Sequence, residues 1–425
     1  MDKNSWPILF LKQYWIFWLL LILSFLKIIP FYYLIIGYLL FCLYNRVISS
    51  TELIYTKNSL MEEIIKKSNI SSLKFIPSFL FPITPLQFIN LSRTKIKSQY
   101  KINVKRKYIG NNGVCIDWIN YEGIETKNKP ILIIFPGLTG CIDDAYVINI
   151  ANECIVNCGF NVCIYQMRVL TEKVKIKKRY LFLIDDIDEA LDDIRKEYGE
   201  KIKINKRYLF LIDDIDEALD DIRNDYGEKI KIYAVGFSYG ANQLVKYLGQ
   251  KNNKNKKITA GISISNPYEF IISSRLAYDK IYNRMLLMFL QKVVNKTRKQ
   301  LEQLNLNLDV NFLLNTNQIT DFDQYYTSYL LGFRGADDYY RNISSVLDMK
   351  NIDVPLLCIH AKDDQICFKE GIPFEEINLN KNIAFLLTSH GTHSCFIESD
   401  GLFGLKVKQW ITKPVSCFLK TVKNM

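Results

Sequence analysis

Histidine is the scarcest acid–base side chain in this chain of 425 residues: His360, His390 and His393 are all it has. Any reaction that needs an imidazole base must use one of them, which narrows the search before any motif is read. Cysteine is plentiful, with ten residues, yet no CxxC pair occurs and no histidine stands beside the Cys154, Cys158, Cys163 group. That spacing argues against a zinc site and leaves the thiols as small apolar side chains of a reduced protein. No motif implies a metal or an organic cofactor. Arginine-rich stripes and basic motifs interleaved with aromatics are missing as well. The net charge of +11 is mostly lysine, spread through Asn/Lys/Ile-rich loops such as QKNNKNKK at 250–257. The excess therefore reads as solvated loops and argues against a nucleic-acid surface. No small-x-small site follows the N-terminal apolar stretch, which argues against a cleaved leader.

Apolar residues are abundant, at 49%, enough for a sizeable core in one large α/β domain with accessories or in two domains. Their densest stretch comes first. Tyr14–Leu26 and Ile28–Tyr44 are free of charge and separated only by Lys27. Each half is short for a bilayer core of ~30 Å, while one continuous helix over both would reach ~46 Å. The choices are a tilted or Pro30-kinked span, or a shallow re-entrant hairpin. Trp6, Trp15 and Trp18 suit an interfacial position. Residues 1–45 are accordingly expected to be a membrane anchor. Residues 46–101, broken by Pro77, Pro82 and Pro85, are expected to be a connector packed loosely on a domain spanning 102–425.

From Tyr108 the pattern changes. Asn112-Gly113 signals a turn, and Val114–Ile119 reads as the strand after it. Four further runs, Ile131–Phe135, Asn161–Gln166, Lys231–Val235 and Ile258–Ile264, read as strands, and continuous apolar strands belong to a parallel sheet covered on both faces. Val354–His360 and Ile383–Thr388 complete the set, with a helix expected over Asp143–Asn157. One segment occurs twice: KRYLFLIDDIDEALDDIR begins at Lys178 and again at Lys206, a 28-residue period. Leu211, Ile212, Ile215, Leu219 and Ile222 mark the second copy as an amphipathic helix. It leads straight into the strand at 231, so it should be the structural copy, and the first should be an extra surface helix. Glu269–Ser345 interrupts the βα rhythm with helical segments, notably Arg275–Lys299, and reads as a cap. Its Leu286–Leu290 run suits either an acyl pocket or the cap's own core.

The chemistry gathers on one turn. Gly236-Phe237-Ser238-Tyr239-Gly240 lies between the strand at 231 and a helix from Ala241 to Leu248. A serine on such a tight strand-to-helix turn is exposed as a nucleophile, and small flanking residues let the strained turn form. The bland alternative is a plain turn. Upstream, Pro136-Gly137-Leu138-Thr139-Gly140 is a glycine-rich loop leaving a central strand. Downstream, Asp363 and Asp364 follow one strand, and His390 and His393 follow the last. His360 lies within a strand and suits a core position. The order Ser, Asp, His is that of a nucleophile, an orienting acid and a base.

With these residues in place, the chain resembles the membrane-anchored abhydrolase-domain proteins of the AB hydrolase superfamily. The likeness covers roughly Lys105–Asp400 and includes NNGVCIDW, PGLTG at 136–140, GFSYGANQLVKYLG at 236–249 and FDQYYT at 322–327. It continues with DDYYRNISS at 337–345, VPLLCIHAKDD at 354–364 and FLLTSHGTHSCFIE at 385–398. It departs from the family at Tyr239, where Leu or Met is usual, and at Thr392, which replaces a glycine. The arginine-glycine loop expected after the fourth strand is reduced to Met167-Arg168-Val169. The resemblance implies an α/β-hydrolase fold with a helical cap and a catalytic set of Ser238, Asp364 and His393, with Asp363 as the alternative acid. It implies oxyanion donors at the amides of Leu138 and Tyr239. The implied activity is a membrane-bound serine hydrolase of lipid esters, an esterase, lipase or phospholipase without cofactor, on the endoplasmic reticulum or another endomembrane. Acyl transfer with the same residues and a silent membrane scaffold are the rival readings.

Overall fold

Ile131–Phe135 offers five apolar side chains in a row, and all five are buried. A strand with no polar face needs cover on both sides, which places it in the interior of a layered sheet. The computed structural model describes residues 19, 22–25, 30–78, 87, 91, 94–95, 101–109, 114–125, 128–138, 140–166, 205–250, 257–277, 281–303, 308–399 and 407–425. Nine strands form one sheet: β1 (Thr51–Tyr55), β2 (Ile102–Ile109), β3 (Val114–Tyr121), β4 (Ile131–Phe135), β5 (Asn161–Gln166), β6 (Ile232–Phe237), β7 (Ile258–Ile264), β8 (Leu356–Ala361) and β9 (Ile383–Thr388). Their spatial order is β1-β9-β8-β7-β6-β4-β5-β3-β2. Strands β4 to β9 pair in parallel. Antiparallel strands close both edges, β3 and β2 on one side and β1 on the other. Arg106 stands opposite Asp117 in the β2–β3 register and donates two hydrogen bonds to its buried carboxylate, at 2.6 and 2.7 Å. This ion pair fastens the exposed outer strand.

Helices cover both faces. On one lie α2 (Leu60–Ser68), α3 (Ala145–Val156) and the C-terminal α9 (Thr412–Asn424), packed through residues such as Ile64, Val147 and Phe418. On the other lie α4 (Asn205–Tyr226) and α5 (Tyr239–Leu248), with Ile215, Leu219, Ile222 and Leu244 buried. The second copy of the repeat thus supplies α4 and runs into β6. The first copy, the side chains of Leu211 and Ile212, the Asn112-Gly113 turn and Met167-Arg168-Val169 lie outside the described residues. Between β7 and β8 come α6 (Phe270–Leu276), α7 (Ile281–Gln303), shorter turns and α8 (Ala336–Ile343). Leu287 is fully buried against Val294, Leu313 and Phe322, so it belongs to this insertion's own core.

The described part of 46–101, chiefly 46–78, differs from expectation. Instead of packing loosely, it contributes β1 to the sheet and α2 to the core. The reason is local: Met61, Ile64, Ile65 and Ser68 share a buried face, and the Ser59 hydroxyl accepts from the Glu62 amide at 3.1 Å to cap the first turn. Before β1, α1 (Phe31–Val47) is apolar on every side and largely exposed. At 17 residues it is ~26 Å long. No helix among the described residues is long and apolar enough to cross a membrane, and most of Tyr14–Leu26 lies outside them.

Candidate active site

Strand β6 ends at Phe237 and α5 begins at Tyr239, leaving Ser238 on the joint with φ 52° and ψ −120°. A serine is held in such a conformation only when its surroundings leave no alternative. Here a Cβ on Gly236 would fall 2.6 Å from the Ala241 Cα, and one on Gly240 would overlap the carbonyl oxygens of Pro136 and Phe135. The two glycines therefore allow the strand, the helix and the 136–140 loop to meet around one residue. The Ser238 amide donates to the Ile264 carbonyl at 2.9 Å, which ties the turn to β7.

His393 Nε2 lies 2.8 Å from Ser238 Oγ, and His393 Nδ1 lies 2.9 Å from Asp364 Oδ2. The other Asp364 oxygen accepts from the amides of Ile366 and Cys367, both at 2.8 Å. Burial opposes charge on this carboxyl, but the His393 imidazole, then His360 and the Cys367 amide, outweigh it and hold it below its ordinary value. An ionised Asp364 accepts from Nδ1–H and so leaves Nε2 free to take a proton from the serine. Asp363 points elsewhere: its Oδ1 accepts from the Thr392 amide at 2.8 Å, and burial pushes its carboxyl up to about 7. The structure thus brings Ser238, His393 and Asp364 together and turns Asp363 to the backbone of the histidine loop. His360 is buried with Nε2 2.7 Å from the Cys367 carbonyl, and His390 reaches Ser389 and Asn45.

That loop is unusual in its backbone. Gly391, Thr392, Ser394 and Phe396 all have positive φ, at 142°, 55°, 60° and 45°. The three non-glycine residues each cost about 1–3 kcal/mol and need outside restraint. Asp363 supplies some, Ser265 Oγ accepts from the Ser394 amide at 3.0 Å, and Gln409 donates to the Ser394 carbonyl at 2.9 Å.

Of the two expected oxyanion donors, Tyr239 is the first residue of α5, where an amide has no carbonyl within its own helix to bond. Leu138 is half-buried in the 136–140 turn, which closes through the Gly140 amide to the Gly137 carbonyl at 2.8 Å. That turn lies against the serine: a Cβ on Gly137 would sit 3.4 Å from the Ser238 Cβ. Thr139 lies outside the described residues.

One group near the serine was missed by the sequence reading. The Tyr239 ring meets Phe270 edge-on at 6.4 Å, and Phe270 stacks on Tyr340 at 6.4 Å. The Tyr340 hydroxyl donates to Asp323 Oδ2 at 2.6 Å, and Thr327 donates to its Oδ1 at 2.6 Å. Burial pushes Asp323 up to about 6. The FDQYYT and DDYYRNISS segments hold this acid and its tyrosine, but nothing in their spacing tells that they meet.

A family model described as "Serine aminopeptidase, S33" matches residues 195–400, from within the tandem repeat through the histidine loop. Embryogenesis-associated protein EMB8 of Picea glauca is 26% identical over 287 residues, 66% of this chain and 56% of that protein. Monoacylglycerol lipase of Saccharomyces cerevisiae is 27% identical over 305 residues, 69% of this chain and 59% of that protein. Phospholipase ABHD3 of Homo sapiens is 23% identical over 294 residues, 67% of this chain and 64% of that protein. The chain thus spans less than two thirds of the length of each of these curated relatives.

Proposed function

We propose that this chain, which carries an AB hydrolase domain and a mostly parallel nine-stranded sheet, is a serine hydrolase of lipid esters working through Ser238, His393 and Asp364. The observation that carries this reading is the continuous pair of hydrogen bonds from Ser238 Oγ to His393 at 2.8 Å and from His393 to Asp364 at 2.9 Å. In this mechanism His393 Nε2 takes the Ser238 proton as Oγ attacks the acyl carbonyl. The amides of Leu138 and Tyr239 stabilise the oxyanion, a contribution of about 3–4 kcal/mol per donor in comparable sites. Collapse expels the alcohol portion with the proton held on His393. Water then attacks the acyl-serine, His393 removes its proton, and the free acid leaves with Ser238 restored. No step calls for a cofactor.

The lipid substrate is supported by what the relatives are named for, a monoacylglycerol lipase and a phospholipase. Membrane attachment is supported by α1, where Phe31, Ile36, Leu40, Tyr44 and Phe41 are exposed around all but one side of the helix. Such a helix is stable when lipid surrounds it. An endomembrane is the proposed location. The test is fluorophosphonate labelling and fatty-acid release from medium-chain phosphatidylcholine and monoacylglycerol. Ser238→Ala should abolish both, and Asp364→Asn should lower kcat by roughly 10³–10⁴-fold. Fatty-acid release at the wild-type rate from Ser238→Ala would overturn the proposal.

A further inference from the structure

The connection between α1 and the sheet has a fixed geometry. Strand β1 is antiparallel to β9, with Thr51 opposite Thr388. The chain entering β1 therefore lies beside the chain leaving β9, and in a parallel sheet that is the edge where functional loops gather. So α1, which ends at Val47, meets the sheet at the loop that carries His393. The backbones pair there: the Ser389 amide donates to the Ser50 carbonyl at 3.0 Å, and the Ser50 amide donates to Ser389 Oγ at 2.9 Å.

A side-chain joint completes the contact. Asn45, on the last turn of α1, is 7% exposed, and its Oδ1 lies 2.9 Å from His390 Nε2. Its Nδ2 donates to the Phe41 carbonyl at 2.8 Å, which settles the amide's orientation, so Oδ1 accepts and His390 Nε2–H donates. His390 Nδ1 then accepts from the Ser389 hydroxyl at 2.9 Å. Burial lowers the pKa of His390 and favours the neutral ring that this pattern needs.

From this arrangement we infer that Asn45 and His390 are positioning residues that couple the seating of α1 in a lipid bilayer to the geometry of the His393 loop. The inference rests on the membrane reading of α1 and specifies where α1 acts on the site. His393 is three residues beyond His390, in a loop whose positive-φ backbone at Thr392, Ser394 and Phe396 has to be held from outside. Asp363, Ser265 and Gln409 hold it from the core side. Asn45 holds it from the side of α1. A bilayer is the occupant that fits α1, because its exposed apolar residues cover all of the helix but the Leu34, Tyr38, Cys42 and Asn45 side, and one protein surface would cover a single face.

The experiment uses the full-length chain, exchanged from detergent into buffer with or without phosphatidylcholine vesicles, and the soluble ester p-nitrophenyl butyrate. Vesicles should raise kcat of the wild type about fivefold or more with KM unchanged. Asn45→Leu and His390→Phe should still float with the vesicles and should lose the rise, whereas Asn45→Asp, which keeps the acceptor, should retain at least half of it. Using both Asn45→Leu and His390→Phe keeps the test valid when one of them fails to melt cooperatively. A full rise in either folded variant overturns the coupling, as does a wild type that floats without any rise. A wild type that does not float overturns the membrane reading itself, and the coupling with it.

Discussion

At Asp363, Asp364 and Asp323, three buried carboxyls within reach of one site are set apart by what faces them. Asp364 faces an imidazole and two amides and is held below its ordinary value. Asp363 faces loop amides and Asp323 faces two hydroxyls, and burial raises both. For Asp323 the consequence for stability can be worked out. Its carboxyl titrates near 3.8 in the unfolded chain and at about 6 in the fold. Between those values the native state holds a proton that the unfolded state has released, so the contribution of Asp323 to stability falls as pH rises from about 4 to about 6 and is level above that. The loss amounts to about 3 kcal/mol. Asp323→Asn should remove this slope while keeping an acceptor for Tyr340. Urea denaturation of both proteins at pH 4.5 and 7 measures it: the wild type should lose more stability between the two than the variant. Equal losses would mean that the acid is not held protonated.

Strands buried along nearly their whole length were legible in the sequence to the residue. Ile131–Phe135, Asn161–Gln166, Ile258–Ile264 and Ile383–Thr388 are read and observed with the same bounds. The elbow was legible for a related reason, since strand, serine, helix and two glycines leave one way to turn. The three histidines made the base easy to confine, but choosing His393 over His390 relied on the resemblance, and choosing Asp364 over Asp363 had the same origin. Adjacent side chains diverge in space, and sequence order does not say which one turns inward. Strand β1 was missed because it is a half-buried edge strand paired with residues more than 300 positions away. Helix α2 carried a usable signal, Ser59 three residues before Glu62 ahead of an apolar face, and the nearby prolines masked it. Its contribution can be measured. Ile64 is 1% exposed in the main core, so Ile64→Ala should cost about 2–4 kcal/mol in chemical denaturation. A cost below about 0.5 kcal/mol would return 46–101 to the status of a loose connector.

The molecule as a whole draws each layer from distant parts of the chain, and this bears on its tandem repeat. In the sheet order β1-β9-β8-β7-β6-β4-β5-β3-β2, the helix described between β5 and β6 is α4. It begins at Asn205, so residues 205–232 supply both α4 and the entry to β6. Because the copies differ only at Lys196-Glu197 against Asn224-Asp225, deleting either one leaves almost the same sequence before the elbow. Deleting 178–205 keeps the observed helix from Lys206 onward. Deleting 205–232 joins the first copy to Tyr233 and puts Glu197 where Asp225 pairs with Lys107 at 2.5 Å, an exposed contact that a glutamate can also make. Both deletions should therefore fold with midpoints within a few degrees of the full chain and label equally with fluorophosphonate. Loss of labelling in both deletions would mean that a second copy is built into the site, since the sheet strands and the Ser238 turn would keep their sequence.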